Sequence, residues 1–251
     1  MLTNTDFDTQ PVIIHAQGRQ NASPHWAPIR DRFFANHLLP ALRDTRLTII
    51  TWNNNPTGPG LFEQSLAHMG LAPMVLGRGI ANWVNSIHKP SLTLAALETI
   101  TTDYVLAVDS FDAIAVRAPS HAVDLFDANF SCDLLFNAGK VCWPDLQQFR
   151  SFERSLPGAA NSAFRYLNGG AWIGRTQFCR DFFAALADTP PLDAWPESEQ
   201  GRLKQLFPDW YPFVSLDYNC RIFQTLQYVF DPILVFDTPS PEKGNKCLGF
   251  P

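Results

Sequence analysis

The sequence predicts an α/β protein with a mainly parallel central sheet flanked by helices. Short apolar runs alternate with helix-length amphipathic segments, which is typical of strands joined by crossover helices. The run YVLAV at 104–108 is apolar throughout, as expected of a central strand that is buried on both faces. The chain has 251 residues, of which 46% are hydrophobic, and this suits a single domain with a large core.

The first half of the chain is predicted to contain three strands and three helices. The stretch LTIITW at 47–52 is a strand because it is rich in β-branched residues. Residues 53–60 are dense in Asn, Pro and Gly and form a loop. Pro90 belongs in the first turn of a helix that continues through 91–99, since that turn tolerates proline. The other elements predicted here are a strand at 11–15, helices at 29–42 and 61–69, and a strand at 73–77.

The second half is predicted to supply the remaining strands of the sheet. Thr176 is a candidate cap for a helix at 177–186. Three phenylalanines on that helix would form its apolar face: Phe178, Phe182 and Phe183. The predicted strands are 104–108, 133–137, 171–174, 216–226 and 232–237.

Composition excludes several classes of protein. A net charge of -5 without a cluster of Lys and Arg argues against a nucleic-acid-binding protein. The apolar runs are shorter than the roughly 18 residues of a membrane span, so none is predicted. The polar, acidic segment 1–10 lacks the features of a signal peptide. Five cysteines, without the spacing of a zinc site, are predicted to be buried free thiols. We therefore expect a reducing, cytoplasmic setting.

The clearest candidate for chemistry is the sequence Asp109–Ser110–Phe111–Asp112, directly after the 104–108 strand. Ligands of parallel α/β sheets bind at the carboxyl ends of the strands, and a tight turn there can aim Asp109 and Asp112 at one point. A divalent cation with a preference for oxygen ligands, Mn²⁺ or Mg²⁺, would offset the repulsion between the two carboxylates. The alternative is that Asp109 caps a turn and Asp112 is solvated.

Three further stretches place polar or aromatic side chains near predicted strand ends. Trp143 precedes a proline in a loop and could stack on a sugar, or else anchor the loop to the core. Asn168, followed by Gly169 and Gly170, could bind a ligand, although such a sequence is more often a turn. Glu199 could act as a base or orient an acceptor, or belong to a helix cap.

In this order, the motifs resemble the glycosyltransferase domain of the procollagen lysyl hydroxylases and their relatives among collagen galactosyl- and glucosyltransferases. The resemblance covers roughly residues 47–237. It implies a GT-A fold, a UDP-sugar donor and Mn²⁺. The matching stretches are VDSFDAI (108–114), FNAGKVCWPD (136–145), FRYLNGGAWIG (164–174) and LDYNCRIFQTL (216–226), with a looser match at 47–52.

The resemblance also implies roles for single residues. Asp109 and Asp112 would ligate the metal that bridges the UDP diphosphate. Phe111 stands where the family has a Tyr that contacts the nucleotide, so that stacking could persist without the hydroxyl. Trp83 and Lys89 correspond to a region near the uracil and the diphosphate.

The other implied roles concern the sugar and the acceptor. Trp143 would line the donor-sugar or acceptor pocket, and Asn168 with Gly169 would shape the floor of the sugar site.

The chain departs from the family pattern at three places. Gly139 replaces an acidic residue that precedes the Cys-Trp-Pro sequence. A run of aspartates before a Gln is reduced to Glu197, Ser198 and Glu199 before Gln200. The C-terminal His-Gly-Asn-Gly strand, which supplies the third metal ligand of the family, does not occur before the chain ends.

A similar stretch occurs at the other end of the chain. Residues 11–18, PVIIHAQG, resemble the closing strand of the family and its His-Gly-Asn-Gly turn. Since chain termini of domains often lie close together, we hypothesise a circular permutation in which His15 completes the metal site with Asp109 and Asp112. Alternatively, 1–42 is the tail of a similar unit lost upstream, and His15 binds no metal.

We therefore predict two segments and one function. Residues 1–46 form an N-terminal segment with the permuted strand and a helix, and 47–251 form a GT-A-like domain. The predicted function is metal-dependent transfer of a hexose from a UDP-sugar to a hydroxyl acceptor, which could be a glycan, a peptide or a small molecule. The alternatives are a catalytically decayed nucleotide-sugar-binding protein and another metal-dependent enzyme, a nucleotidyltransferase or a phosphohydrolase. Neither nucleic acid nor a membrane is predicted as a partner.

Overall fold

The computed structural model describes residues 1–17, 23–36 and 41–236. Strands and helices alternate over most of this part of the chain, as predicted. The strands are β1 (Leu2–Asn4), β2 (Ile13–His15), β3 (Leu47–Trp52), β4 (Met74–Leu76), β5 (Tyr104–Asp109), β6 (Ala113–Ala115), β7 (Leu134–Gly139), β8 (Tyr166–Arg175), β9 (Val214–Leu216), β10 (Phe223–Thr225) and β11 (Leu234–Phe236). The α-helices are α1 (Trp26–Ala35), α2 (Leu61–His68), α3 (Asn85–Leu97), α4 (Ser120–Asn129), α5 (Gln147–Ser155), α6 (Thr176–Asp188) and α7 (Glu199–Trp210), and a 3₁₀ turn spans Pro157–Ala159.

A six-stranded sheet forms the centre of the protein, in the order β4-β3-β5-β8-β7-β9. Its pairs are parallel except where β8 runs antiparallel to β5 and β7. The predicted α/β class with a mainly parallel sheet is confirmed. Residues 105–108 of β5 have no exposed surface, as expected of a strand that is covered on both faces.

A second sheet places β2, near the N-terminus, beside the end of β5. It has the order β10-β2-β6, in which β2 is parallel to β10 and antiparallel to β6. His15, the last residue of β2, pairs with Ala113, the first residue of β6. Because Ala113 follows Asp112 directly, this register brings His15 to the turn between β5 and β6. The backbone N–H of Ala16 donates to the carbonyl of Asp112 at 2.7 Å.

The strand predicted at 171–174 is much longer in the structure. β8 spans ten residues, so Asn168, Gly169 and Gly170 lie inside a strand and the turn that their sequence suggested is wrong. Glycine inside a strand often marks a close approach of another group. Here a Cβ atom on Gly170 would lie 2.7 Å from Oδ2 of Asp109, so the glycine leaves room for this carboxylate.

The strands predicted near the C-terminus are shorter and partly in another sheet. The stretch 216–226 contains the last residue of β9 and the whole of β10, separated by a turn. The carboxylate of Asp217 forms this turn by accepting hydrogen bonds from the backbone N–H groups of residues 221, 222 and 223. β11 pairs with β1 in a separate two-stranded sheet, and residue 237 lies outside the described residues.

Pro90 does not lie in the first turn of its helix. α3 begins at Asn85, five residues before Pro90. Because proline has no backbone N–H, Pro90 cannot donate to the carbonyl of Ser86. The guanidinium of Arg202, on α7, donates to that carbonyl instead and also to the carbonyls of Leu186 and Ala187. A partner distant in sequence thus satisfies the acceptor that proline leaves open, and the helix continues through it.

Other helix ends also differ from the prediction. Thr176 is the first residue of α6 rather than its cap. Its hydroxyl does not cap the helix but donates to the carbonyl of Thr102 at 2.6 Å. α1 ends at Ala35, so residues 41–42 are outside it, and 37–40 are not described. Four elements were not predicted from the sequence: the three-residue strands β1 and β6 and the helices α4 and α5.

The thiols agree with the prediction where they are described. Cys132, Cys142, Cys179 and Cys220 are free and buried, and Cys247 lies outside the described residues. Each helix in the described ranges is too short or too polar to span a lipid bilayer.

Candidate functional site

The turn after β5 is held in place by its backbone and by a buried serine. The carbonyl of Ser110 accepts from the N–H of Phe62, at the start of α2, at 2.9 Å. The Ser110 side chain is buried, and its hydroxyl donates to Glu63 at 2.8 Å. Phe111, between the two aspartates, is 50% exposed. The turn therefore keeps its polar centre fixed and leaves an aromatic ring free for contact.

His15 and the two aspartates converge on one point. Nε2 of His15 lies 3.4 Å from Oδ1 of Asp112 and 3.8 Å from Oδ2 of Asp109. One ligand atom from each residue can be chosen so that all lie within 4.8 Å of one another. Burial of the ring lowers the pKa of His15, but the carboxylates of Asp112 and Asp109 outweigh burial and raise the pKa above its ordinary value.

These three residues fit a divalent cation on two observations. One imidazole and two carboxylates are a donor set that Mn²⁺ accepts, and Mg²⁺ suits the carboxylates. Gly170 also leaves space beside them, since a Cβ atom there would lie 2.9 Å from Nε2 of His15.

Asn137 lies behind the imidazole. Its Nδ2 is 3.3 Å from Nδ1 of His15, and its Oδ1 has no hydrogen-bond partner within the described part of the chain. As placed, the same Nδ2 also donates to Oδ1 of Asn168 at 3.4 Å. Rotation of the amide by half a turn would let Asn137 accept from Nδ1–H and leave Nε2 unprotonated, as a metal ligand requires, with the loss of this bond.

Lys89 links the first aspartate to Glu199. Its ammonium lies 2.5 Å from Oδ1 of Asp109 and 3.2 Å from Oε2 of Glu199, and 4.6 Å from the centre of the Trp52 ring. Burial lowers the pKa of Lys89, but the two carboxylates outweigh it and raise the pKa above its ordinary value. Burial raises the pKa of Glu199 to about 7, although Lys89 opposes this effect.

Two clefts meet at the aspartates. The first, of about 630 Å³, has walls rich in rings and is called the aromatic cleft here. It is lined by Trp26, Trp52, Trp83, Phe111 and Ser110, among others. The second, of about 620 Å³, is called the polar cleft and is lined by Gln17, Asn168, Gly169, Trp195, Glu199 and Gln200, among others. Asn85, Lys89, Asp109 and Asp112 line both.

The structure groups the predicted nucleotide-contacting residues in the aromatic cleft. Trp83 and Phe111 line it, and Lys89 stands where it meets the polar cleft. Trp83 stacks on His88 with ring centres 5.2 Å apart, and its Nε1 donates to Oδ1 of Asn85 at 2.6 Å. The indole is thus fixed in place where it lines the cleft.

The residues predicted to contact sugar or acceptor lie around the polar cleft. Trp143 is 49% exposed and packs edge-to-face against Trp195, with ring centres 5.9 Å apart. The backbone N–H of Gly169 donates to Oε1 of Gln200 at 3.1 Å, and Nε2 of Gln200 donates to the carbonyl of Trp143 at 2.5 Å. Gln200 therefore ties the floor of the cleft to its aromatic rim.

Asn168 and Glu199 also lie in the polar cleft. The side chain of Asn168 is buried, and its Oδ1 accepts from the backbone N–H of Gly170 at 3.0 Å. Ser198, rather than Glu199, caps α7 by accepting from the N–H of Gly201 at 3.0 Å. The cap that the sequence suggested as an alternative for this stretch thus exists, and it leaves the Glu199 carboxylate available to Lys89.

Several residues of the clefts were missed by the sequence analysis. Trp52 could have been found, because it ends β3 and pairs in register with Asp109 on the neighbouring strand. Trp195 and Gln17 carry no comparable local signal. They reach the polar cleft from loops, and only their tertiary contacts mark them.

Known proteins provide an independent comparison. The family model described as the PLOD GT domain matches residues 44–189. A procollagen-lysine,2-oxoglutarate 5-dioxygenase from Drosophila melanogaster is 30% identical over 126 residues, which are 49% of this chain and 16% of that protein. The chain thus corresponds to about a sixth of the length of this relative.

Among solved structures, a glucosyl-3-phosphoglycerate synthase from Mycobacterium tuberculosis, in complex with Mn²⁺, UDP-glucose and phosphoglyceric acid, aligns with 86% of this chain and 77% of its own. The sequence identity is 9% and the TM-score is 0.34. The family model, by contrast, matches more than half of the 251 residues and confirms the resemblance seen in the motifs. The chain therefore belongs to the family of PLOD glycosyltransferase domains.

Proposed function

We propose that this protein transfers a hexose from a UDP-sugar to a hydroxyl acceptor, with a divalent cation held by His15, Asp109 and Asp112. The observation that carries the proposal is the position of these three residues at the junction of an aromatic and a polar cleft. A nucleotide sugar has an aromatic base, a diphosphate and a polar hexose in that order. The two clefts and the site between them offer complementary surfaces in the same order.

The residues of the aromatic cleft would bind the nucleotide. Phe111 and Trp83 present ring surface to a pyrimidine. Lys89 lies within reach of the diphosphate position beside Asp109, where its charge would attract phosphate oxygens. A bound Mn²⁺ or Mg²⁺ would supply Lewis-acid stabilisation of the charge that develops on the departing diphosphate.

The residues of the polar cleft would hold the hexose and the acceptor. Asn168 and the backbone of Gly169 form its floor, and Trp143 offers an exposed ring that can stack on a sugar. Glu199 would accept a hydrogen bond from the acceptor hydroxyl or take its proton. A pKa of about 7 suits a general base near neutral pH.

A thermal-shift titration tests this function directly. Mn²⁺ and UDP together are expected to raise the melting temperature more than either alone, because a ligand at about 100 times its Kd adds roughly 2.7 kcal/mol to the stability of the native state. UDP release from UDP-hexoses in the presence of Mn²⁺ would then identify the donor. Binding of UDP without turnover would indicate a decayed transferase. Consumption of nucleoside triphosphates or phosphate esters, with no response to UDP, would overturn the proposal in favour of a nucleotidyltransferase or a phosphohydrolase.

We further propose that 1–46 supplies the closing strand of a circularly permuted domain, with 47–251 as its remainder. His15→Ala is then expected to raise the Kd for Mn²⁺ by at least about tenfold, because the site loses one of three ligands, while a His25→Ala control retains wild-type affinity. His25 is the control because its ring bonds the backbone carbonyl of Asp231 at 2.7 Å near the surface, and it lines neither cleft. Isothermal titration with MnCl₂ measures both. An unchanged Kd in His15→Ala would leave 1–46 without a part in the metal site.

A further inference from the structure

We propose that Glu63 is a positioning residue for the metal site: through Ser110 it fixes the turn 109–112, and through Arg78 it fixes the loop 53–60. This inference rests on the proposed function, because it assigns a role in binding the metal and the nucleotide. Glu63 lies on α2 and does not line either cleft. Its effect would therefore be exerted through the groups that it holds.

Three donors share one oxygen of Glu63. Oε1 of Glu63 accepts from the hydroxyl of Ser110 at 2.8 Å and from the backbone N–H of Gly60 at 3.0 Å, and also from Nδ2 of Asn53. The carboxylate is buried. Donors from the end of β3, from the start of α2 and from the turn after β5 thus share a single acceptor.

The other oxygen of Glu63 forms an ion pair. Oε2 of Glu63 pairs with the guanidinium of Arg78. The same guanidinium donates to the carbonyls of Asn55 at 2.9 Å and of Gly58 at 2.8 Å. The carboxylate and the arginine together therefore hold both ends of the loop 53–60 and attach it to the turn that carries the aspartates.

Glu63 makes more contacts than the capping of α2 requires. A glutamate at the third position of a helix often accepts from the N–H of the cap residue, and the bond from Gly60 is of this kind. Such a cap needs one donor, and it requires neither Ser110 nor Arg78. The packing is also tight, since a Cβ atom on Gly60 would lie 2.7 Å from the carbonyl carbon of Ser110. A displacement of the loop would therefore displace the turn.

The loop and the turn that Glu63 holds both contribute walls to the aromatic cleft. Asn54 from the loop and Ser110, Phe111 and Asp112 from the turn line this cleft together. Glu63 lies between these two walls and bonds to both. The positions of the metal-binding carboxylates relative to the nucleotide wall thus depend on one buried side chain.

The test compares Mn²⁺ affinities of purified full-length variants by isothermal titration, at a temperature well below their melting points. Glu63→Gln leaves one side-chain oxygen for donors that now share two, and it removes the charge that pairs with Arg78. It is therefore expected to raise the Kd for Mn²⁺ by about tenfold or more, the range found when a group that orients a metal ligand is lost. The Kd of UDP in the presence of Mn²⁺ should rise as well. Ser110→Ala removes only the hydroxyl that joins Glu63 to the turn and should raise the Kd for Mn²⁺ in the same direction by a smaller factor.

Glu153→Gln is the matched control. Glu153 is a buried carboxylate that pairs with Lys204 at 2.8 Å and accepts from the N–H of Leu167, and it contacts neither the turn nor the loop. Its loss should lower the melting temperature and leave the Kd for Mn²⁺ unchanged, because it disturbs stability without disturbing the site.

The outcomes separate the inference from the function on which it rests. If the wild type binds Mn²⁺ and a folded Glu63→Gln variant binds it with the same Kd, the inference is overturned and the proposed function stands. If Glu63→Gln does not fold, an unchanged Kd in Ser110→Ala overturns the inference in its place. If the wild type itself binds no Mn²⁺, the proposed function fails first, and the role assigned to Glu63 fails with it.

Discussion

The Asp109→Asn variant is expected to lose measurable Mn²⁺ binding and to release UDP from a UDP-hexose at least about 100-fold more slowly than the wild type. Asp109 lines both clefts, and its two oxygens face different partners. Oδ2 is directed toward His15 and Oδ1 toward Lys89. Loss of the negative charge removes a metal ligand, and a factor of 100 corresponds to about 2.7 kcal/mol of lost transition-state stabilisation.

The fold should survive this change. Asparagine has nearly the same size, and Lys89 retains Glu199 as a partner at 3.2 Å. Asp181→Asn, on the exposed surface of α6, removes the same charge elsewhere and should bind Mn²⁺ and turn over donor like the wild type. Circular dichroism would establish that both variants are folded. A folded Asp109→Asn protein with wild-type Mn²⁺ affinity and UDP release would show that the metal assignment is wrong.

The turn that carries this prediction could be found from the sequence because its parts are adjacent in the chain. An unbroken apolar strand predicts where the buried backbone ends, and two aspartates follow at that point. The general position of ligands at the carboxyl ends of parallel strands supplies the rest. β5 and its exit turn therefore agree with the prediction, and so does β3, whose β-branched residues indicate a strand without help from the rest of the protein.

The elements that the sequence mispredicts depend on partners that are distant in the chain. β8 contains two consecutive glycines because other residues come close to it, Leu203 at Gly169 and His15 with Asp109 at Gly170, whereas local propensity favours a turn there. Pro90 lies inside α3 because a guanidinium 116 residues beyond Ser86 satisfies the open carbonyl. Neither compensation leaves a periodic pattern, so a local rule gives the wrong answer at both places.

His15 lies between the correctly predicted and the mispredicted features. As a residue it carries no signal, since a histidine at the end of a three-residue strand has no feature that indicates a metal. The prediction came from a resemblance of 11–18 to the closing strand of the family. The register of β2 against β6 then brings its ring to 3.4 Å from Asp112. The contact is consistent with the permuted arrangement. The His15→Ala titration tests whether His15 binds the metal.

Gly170→Ala is expected to weaken metal binding at least about tenfold, although it alters no ligand and adds a single methyl group. The new Cβ atom would lie 2.7 Å from Oδ2 of Asp109 and 2.9 Å from Nε2 of His15, closer than atoms in contact can approach. Both obstructing groups are fixed, since His15 is buried in the middle strand of a sheet and Asp109 ends β5. Overpacking of this kind costs about 1–3 kcal/mol, so the protein should remain folded with a lower melting temperature.

Gly139→Ala separates the collision from the mere addition of a methyl group. Gly139 ends β7 beside the same site, but a Cβ atom there would approach no atom closer than 3.7 Å, the carbonyl oxygen of Tyr166. This variant should bind Mn²⁺ with wild-type affinity, whereas Gly170→Ala should raise the Kd at least about tenfold, because ligands displaced by a fraction of an ångström no longer converge. Equal affinities in the two glycine variants would mean that the metal is not held between His15 and Asp109. A loss in Gly170→Ala alone would locate the ion at the point where the methyl group intrudes, independently of any ligand substitution.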